Sequence, residues 1–286
     1  MARLDALSIK LENGTDDASL AELYNQVIEN VEKGAVSVQL KNFNLSGDPA
    51  AGSVEAKRFV NSASQAYGTA RGAGAGDDIK VKPVTVALDQ HKEIIEEVEM
   101  FDLDRLGIAN ILGRRVADHA RSMIRELDTA FFTQAYVAGT KLTTSGTTTA
   151  AKLEELIVKL ETVANDFVDG VGRDMMGLVV TPAIHSALRL EIDAFPATDN
   201  AYAKGAVGLY HGVPVFVSNH LPKASGQVVN AFVMAFGSVA QPVSAQPYAA
   251  ERIPLSNAMA AELFFDYGTK AVTEDLIFYI GDAYSA

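Results

Sequence analysis

The sequence contains no cysteine and no tryptophan. Without cysteine the chain has no disulfide, no thiolate to offer a metal and no cysteine nucleophile, so nothing ties it to an oxidising compartment. Long apolar runs are also missing, because no stretch approaches the roughly 18–20 consecutive apolar residues that a membrane span requires. The N-terminal residues MARLDALSIKLENG lack a basic segment followed by an apolar one, and we therefore expect no signal peptide.

Basic residues are scarce relative to acidic ones. Lysine and arginine number 24 against 36 aspartates and glutamates, which gives a formal net charge of −12. The densest basic pairs, Lys57-Arg58 and Arg114-Arg115, do not extend into a patch. Because binding of duplex DNA depends on clustered cations that neutralise phosphates, a DNA-binding module is excluded. A chain of this charge can still form a wall beside DNA that repels the polymer.

The composition is that of a globular protein, with 48% hydrophobic and 21% charged residues in a chain of 286. Apolar residues at intervals of three and four predict a helix over residues 16–33 and a much longer one over about 104–138. In the longer helix, Asp104 is a candidate N-cap and Gly139 a stop. A chain with one helix of this length is expected to be built along it as a spine.

Further elements are predicted downstream of the long helix. Thr149 is a candidate cap for a second helix that ends before Gly170, and Thr181 followed by Pro182 predicts the start of another. Apolar runs in MMGLVV, GVPVFV and QVVNAFVMAF predict strands, and ELFFDYGTKAVTEDLIFYIGD predicts a closing hairpin of two alternating strands. Helices and strands do not alternate regularly, so the predicted class is α+β.

The segment from about Val54 to Leu103 has an unusual pattern. Two extended, mostly polar arms flank a glycine-rich turn, which predicts one long β-hairpin. A two-stranded ribbon is marginal in water on its own, and Pro83 restricts its strand to an edge. We therefore expect the hairpin to lie against another surface, and a neighbouring copy must supply it if the chain does not.

The turn of this hairpin reads GTARGAGAGDD, over residues 68–78. A phosphate-binding loop would need a strand before it and a helix directly after it, whereas IKVKPVTVAL follows here. The spacing also departs from GxGxxG, and no GK[ST] follows. A flexible hairpin tip is the favoured interpretation, and a phosphate-binding loop is the alternative.

The histidines and the acidic run are the remaining candidates for chemistry. Asp118, His119 and Ser122 are close in sequence, but adjacent helical residues point about 100° apart and cannot form a triad, so His119 is predicted to lie on a helix surface. The other histidines are isolated, without a metal-binding spacing, and are interpreted as hydrogen-bonded or solvated side chains: His91, His185, His211 and His220.

The acidic run contains Glu93, Glu96, Glu97 and Glu99. It lacks the alternating oxygen ligands and the glycine of a calcium loop, and a solvated or intersubunit charged face is expected instead. There is no G-x-S-x-G nucleophile motif either. No active site, metal site or cofactor site is therefore predicted.

The order of these elements resembles that of the major capsid protein of tailed bacteriophages, over nearly the whole chain. The stretches that carry the resemblance are AKRFVNSASQAYG with IKVKPVTVALDQHKEIIEEVEMFDL for an extended loop, and LGRRVADHARSMIRELDTAFFTQA for a spine helix. LVVTPAIHSALRL with GVPVFVSNHLP resembles the axial domain, and YGTKAVTEDLIFYI resembles closing strands of the peripheral domain.

The resemblance implies a division of the chain into five segments. These are an N-terminal arm over 1–53, an extended loop over 54–102, a peripheral domain with the spine helix over 103–170, an axial domain over 171–254 and closing peripheral strands over 255–286. The glycine-rich turn would then be the tip of the extended loop, which reaches over an adjacent subunit. Glycine suits a tip that must adapt to different neighbours.

The implied function is a shell protein that assembles into pentamers and hexamers of an icosahedral head around double-stranded phage DNA. Its implied partners are other copies of itself, a separate scaffolding protein and a portal, with DNA enclosed without sequence-specific binding and with no membrane. No cofactor is implied. The implied location is the virion, after assembly in the cytoplasm of the host bacterium.

The extended loop contributes the candidate intersubunit residues. These residues are charged and lie at the tip or on the arms of the loop: Lys57, Arg58, Arg71, Asp77, Asp78, Lys80 and Lys82. Some members of the family join subunits by a lysine–asparagine isopeptide bond. Here no asparagine partner or catalytic acid can be matched to the lysines, so cross-linking is not expected.

Two alternatives stay open at this point. An encapsulin, a nanocompartment shell of the same fold, would co-purify with an enzyme cargo, whereas a phage head would be associated with portal, tail or DNA. A soluble enzyme that binds a phosphorylated ligand through the glycine-rich loop would form a small discrete oligomer and be stabilised by nucleotides.

Overall fold

A computed structural model of the chain describes residues 17–62, 64, 79–99, 108–191, 208–224, 227–246 and 249–283. The α-helices are α1 (Asp17–Gly34), α2 (Val36–Leu40), α3 (Ile108–Ala138), α4 (Thr149–Glu161) and α5 (Pro182–Glu191). The first strands are β1 (Leu45–Ser46), β2 (Ser53–Phe59), β3 (Val81–Ala87), β4 (Gln90–Glu99), β5 (Thr140–Lys141), β6 (Met176–Val180), β7 (Gly208–Tyr210) and β8 (Val213–Val217). The later strands are β9 (Lys223–Ala224), β10 (Gln227–Ala235), β11 (Val239–Ala240), β12 (Val243–Ala245), β13 (Ala249–Arg252), β14 (Ala258–Tyr267), β15 (Lys270–Ala271) and β16 (Ile277–Ala283).

The long helix and its stop are confirmed. Helix α3 has 31 residues and ends directly before Gly139. A Cβ at Gly139 would lie 2.6 Å from the Ala135 carbonyl oxygen and 2.8 Å from Cγ2 of Ile277, so the close approach of strand β16 requires glycine there. The proposed cap at Asp104 lies outside the described residues.

Helix α4 differs from its prediction at its N-cap, and it ends before Gly170 as predicted. Its N-cap is Thr148, whose hydroxyl accepts a hydrogen bond from the Ala151 N–H, and not Thr149. The helix ends at Glu161, and Asn165 then forms a tight turn in which its Oδ1 accepts from the N–H groups of Phe167 and Val168. Such side-chain acceptors compete with helical hydrogen bonds.

Helix α5 begins as predicted. Pro182 occupies its first position, and the Thr181 hydroxyl accepts a hydrogen bond from the Ile184 N–H at 3.4 Å. Proline fits here because the first helical N–H has no partner within the helix.

The chain forms two compact units. One comprises residues 1–35, 88–128 and 242–268, and the other comprises residues 36–87, 129–241 and 269–286. The second unit contains a seven-stranded sheet with the order β5-β16-β10-β6-β8-β7, in which β9 also pairs with β10. The five-segment division of the chain stays a prediction.

Two apolar clusters of the second unit contain strands of the seven-stranded sheet. The first includes Leu153, Leu156, Ile157 and Leu160 of α4, which lie with strand residues such as Leu178 and Val233. The second is aromatic, and its members include Phe131, Phe132 and Phe232. Phe132 and Phe232 stack with ring centroids 6.0 Å apart. Side chains from both faces of the sheet are thus buried.

The predicted closing hairpin is wrong. Strand β14 pairs with β4, β12 and β13 in one sheet, whereas β16 pairs with β10 and β5 in the seven-stranded sheet. In β16 four consecutive side chains are at most 8% exposed, Ile277 to Ile280, so this strand needs cover on both faces. In β14 buried Leu263, Phe265 and Tyr267 alternate with partly exposed residues, which suits a sheet that is covered on one face.

The long hairpin is confirmed in its first part and corrected in its second. Strands β2 and β3 pair antiparallel over their full length, and β1 pairs with β2. The predicted second arm, however, is two strands, since β4 leaves the hairpin and pairs with β14 from Gln90↔Tyr267 to Glu99↔Ala258. The described hairpin is therefore shorter than predicted, and its glycine-rich tip (68–78) lies outside the described residues.

His119 is buried, contrary to the surface position predicted for it. Only 3% of the residue is exposed, and its Nε2 lies 3.2 Å from Oε1 of Glu96 on β4. Arg115, one turn earlier on α3, also bonds the Glu96 carboxylate. His119 lies in the same helical stripe as buried Val116 and Met123, so the packing of that stripe encloses it.

Truncation of the α4 core tests this architecture. Leu156→Ala is expected to lower the free energy of unfolding by about 2–5 kcal/mol, because Leu156 is fully buried and the change leaves a cavity. Val158→Ala on the same helix, where the side chain is 42% exposed, should change it by only about 0.5 kcal/mol. Urea denaturation followed by far-UV circular dichroism measures both, and equal losses would contradict the assignment of the buried face.

Candidate assembly surfaces

The hairpin of β2 and β3 has two different faces. One face is packed inward, where Val54, Ala56 and Val86 form a cluster with Ala240 and Val272. Alternate residues of a strand point to opposite faces, so the intervening residues form an outer face. The ribbon is therefore fixed to its own subunit by one face only.

The outer face carries apolar side chains that the described residues do not cover. Phe59 of β2 lies directly opposite Val81 of β3. Phe59 is 57% exposed and Val81 is 38% exposed, while Ile79, two residues before Val81, is 85% exposed. We call these three residues the apolar face. It lies at the end of the described hairpin that is nearer the turn.

The predicted charged contact residues have different surroundings. Lys57 is on the outer face and lies 3.9 Å from Glu55, its only ion-pair partner in the described part of the chain. Lys80 and Lys82 are exposed. Arg71, Asp77 and Asp78 lie outside the described residues.

Arg58 is bound within its own subunit. Its two terminal nitrogens donate to the two carboxylate oxygens of Asp275 at 2.7 and 2.8 Å. The guanidinium also lies over the ring of Phe167, 4.1 Å from its centroid, and only 11% of the side chain is exposed. A planar bidentate pair of this kind fixes direction as well as distance. Arg58 therefore anchors the end of the described hairpin that is nearer the turn.

The sequence does not indicate the partners of Arg58. Asp275 is 217 residues away in sequence, and nothing in the stretch VTEDLIFYI distinguishes it from a solvated acid. Asn165 also donates to the Asp275 carboxylate, and it belongs to the turn that ends α4. The three side chains meet only because separate elements of the second unit come together.

The pKa of Asp275 is lowered by this arrangement. Partial burial by itself would raise the pKa, but the hydrogen bonds from Arg58 and Asn165 outweigh it. A lowered folded pKa stabilises the fold above the unfolded value of about 3.9, and the stabilisation is lost as the pH falls through the folded value.

Backbone contacts and a lysine complete the anchor. The Asn61 N–H donates to the Asp166 carbonyl at 2.9 Å, and Lys270 Nζ donates to the Thr85 carbonyl at 3.0 Å. An open cleft of about 790 Å³ lies along β3 and is lined by Arg58, Lys82 and Lys270 together with acidic side chains. Pro83 lies on this edge, where it removes a donor that another strand would need.

The histidines and the acidic run form structural contacts. His91 Nδ1 lies 2.7 Å from Asp266, and His211 Nδ1 lies 2.9 Å from Glu154. Glu96 is held by Arg115, while Glu93 and Glu97 are exposed. Among the described residues no group of three or more potential ligands could hold a metal ion, and no described helix is long and apolar enough to cross a membrane.

The sequence matches no protein-family model and no curated protein. Solved structures do match. The capsid of cyanophage P-SCSP1u is 14% identical, with 86% of this chain and 87% of that chain covered at a TM-score of 0.58. The capsid of an empty GTA particle is 14% identical, with 87% and 90% covered at 0.60. A virus-like particle from Pyrococcus furiosus is 12% identical, with 91% and 97% covered at 0.56.

At these identities the likeness shows the fold. The chain has the α+β fold of phage major capsid proteins, as the order of its elements predicted. The same fold occurs in the particle from Pyrococcus furiosus.

Replacement of Asp275 tests the anchor of the hairpin. Asp275→Asn should cost about 1–3 kcal/mol of local stability, because it leaves the largely buried Arg58 charge without its carboxylate partner. Hydrogen exchange of the β2 and β3 amides measures this loss. In the wild type the protection of these amides should also fall as the pH drops below about 4, because Asp275 becomes protonated. The variant should lack this part of the pH dependence.

Glu274→Gln is the matched control. Glu274 is the neighbouring acid, is exposed and has no ion-pair partner among the described residues. Its replacement should leave exchange of the hairpin unchanged. Loss of protection in both variants, or in neither, would contradict an anchor made by Arg58 and Asp275.

Proposed function

We propose that this chain is a major capsid protein, which assembles into pentamers and hexamers of an icosahedral shell around a double-stranded DNA genome. The observation that carries the proposal is the hairpin with one anchored and one uncovered apolar face, in a chain whose fold is that of capsid proteins. The chain is a structural protein in this proposal and not an enzyme.

The apolar face provides the energetic reason for assembly. Full burial of a side chain such as Phe59, Ile79 or Val81 contributes about 1.5–3 kcal/mol. A second copy that covers this face uses a different part of its own surface, which makes the contact head-to-tail. Head-to-tail contacts that close on themselves form rings. Each subunit of a ring then gains the same burial.

The charged residues have a secondary role in the proposal. Lys57 is exposed on the outer face next to the apolar face, whereas Lys80 and Lys82 are exposed on either side of Val81 and point to the other face. All three suit the rim of an interface. Each exposed ion pair contributes only about 0–1 kcal/mol, so these residues contribute more to the specificity of the interface than to its affinity. Arg71, Asp77 and Asp78 are proposed for the same rim, whereas Arg58 acts inside the subunit.

The net charge of −12 suits a container for DNA. A predominantly acidic wall repels the phosphate backbone, so the genome is enclosed without sequence-specific binding. We propose that a separate scaffolding protein and a portal act during assembly. Assembly takes place in the cytoplasm of the host bacterium, and the mature location is the virion.

Electron microscopy of the purified chain is the direct test. Negative staining should show closed polyhedral particles, and sedimentation should give a mass in the megadalton range. A monodisperse monomer or small oligomer at concentrations of tens of micromolar would overturn the proposal. In infected cells the particles should contain DNA and a portal, whereas an enclosed enzyme would identify an encapsulin-type compartment instead.

The apolar face is tested by Phe59→Asp combined with Val81→Asp. Both side chains are exposed in the subunit, so the variant should fold normally but form no closed shells, because a charge replaces the surface to be buried. Circular dichroism checks the fold, and sedimentation checks assembly.

Thr85→Asp is the control, because Thr85 is exposed on the same strand nearer the base of the hairpin. This variant should still assemble. Normal shells from the double variant would show that the apolar face is not an assembly surface.

A further inference from the structure

A second cleft of the larger unit has a lining that the shell function does not explain. It has a volume of about 410 Å³ and lies between the start of α4, the loop 141–146, α5 and the last strand, β16. The loop belongs to the threonine-rich stretch TKLTTSGTTT.

The charge of this cleft is opposite to that of the chain. Lys141 and Lys152 line it, and none of the described residues that line it carries a carboxylate. Neither lysine has an ion-pair partner among the described residues. Since acidic residues outnumber basic ones by 36 to 24 in the chain, a cleft with two ammonium groups and no acid is an exception to its composition.

Two acids next to the cleft are held by specific hydrogen bonds to backbone N–H groups and a hydroxyl group. The Glu155 carboxylate accepts from the Ser145 N–H at 2.9 Å and from its hydroxyl at 2.7 Å. The Glu191 carboxylate accepts from the N–H groups of Thr149 and Ala150 at 2.9 and 2.7 Å. These bonds lower the pKa of both carboxyls and fix the loop and the start of α4. Neither carboxylate forms an ion pair with Lys141 or Lys152 in the described part of the chain.

The other lining groups suit an oxygen-rich anion with an organic part. Thr143 and Thr144 add hydroxyl groups to the lysine ammonium groups, and hydroxyl and ammonium groups both donate hydrogen bonds. Leu142 and Ile184 form an apolar wall that packs on the core of the sheet. A phosphate has several strong acceptor oxygens and two negative charges to match the two ammonium groups, and the apolar wall suits the attached sugar.

We propose that this cleft binds a phosphate group of a nucleotide or of a nucleic-acid backbone, with Lys141 and Lys152 as the charged ligands. The site is distinct from the glycine-rich stretch 68–78. In an assembled shell a nucleic-acid phosphate would be bound at one point per subunit, without base recognition. The proposal does not depend on the shell, since free phosphate is bound by the same groups.

Binding to the full-length chain tests the proposal. Equilibrium dialysis with inorganic phosphate, with dAMP and with a twelve-residue single-stranded DNA should give saturable binding of at least one of them. The double variant Lys141→Glu/Lys152→Glu should weaken that binding at least tenfold, because two attractive charges become repulsive. Lys223→Glu, an exposed lysine outside the cleft, is the control and should change it less than twofold.

The three ligands also separate the two sources of phosphate. If DNA binds more tightly than dAMP and the double variant loses this binding, the ligand is a nucleic-acid backbone. If DNA and dAMP bind equally, the ligand is a free nucleotide or phosphate. No saturable binding below about 10 mM for any ligand would overturn the proposal, as would equal binding by the double variant and the wild type. Microscopy of the same samples reports on shell assembly separately, so failure of this site and failure of the shell function are distinguishable.

Discussion

The ion pair between Arg58 and Asp275 determines how the hairpin is held. Its bidentate geometry, with Phe167 beneath the guanidinium, joins a strand of the hairpin to the segment before the last strand of the sheet. Because one face of the ribbon is fixed in this way, the opposite face is presented to the outside in a defined orientation. Phe59 and Val81 lie directly next to Arg58 and Lys82 in the two strands, so the anchor holds in place the surface that we propose for assembly.

That constraint connects subunit stability to assembly. A ribbon with one covered face does not need a neighbour in order to fold, but it exposes apolar area that a neighbour can bury. The specificity of such a contact comes from shape and from rim charges, while its strength comes from repetition around a closed ring. The anchor thus makes the proposed assembly a property of the folded subunit.

Local features of the chain were predictable from the sequence. The spacing of apolar residues identified α3 and its stop at Gly139, and the extended pattern with Pro83 identified an edge strand that needs another surface. The order of elements indicated the capsid fold. Among the site residues, the exposed positions of Lys57, Lys80 and Lys82 agree with their location on the arms, whereas the role of Arg58 and the apolar face were not predicted.

The sequence by itself determined periodicity, charge and turns, because these depend on residues that are close along the chain. Only the tertiary structure decided which strands pair, since β14 and β16 follow each other closely in the chain but join different sheets. It also decided that His119 is buried beside Glu96, and that Arg58 binds Asp275 217 residues away. Pairings of this kind depend on the packing of whole elements, and the local sequence around one partner does not indicate the other.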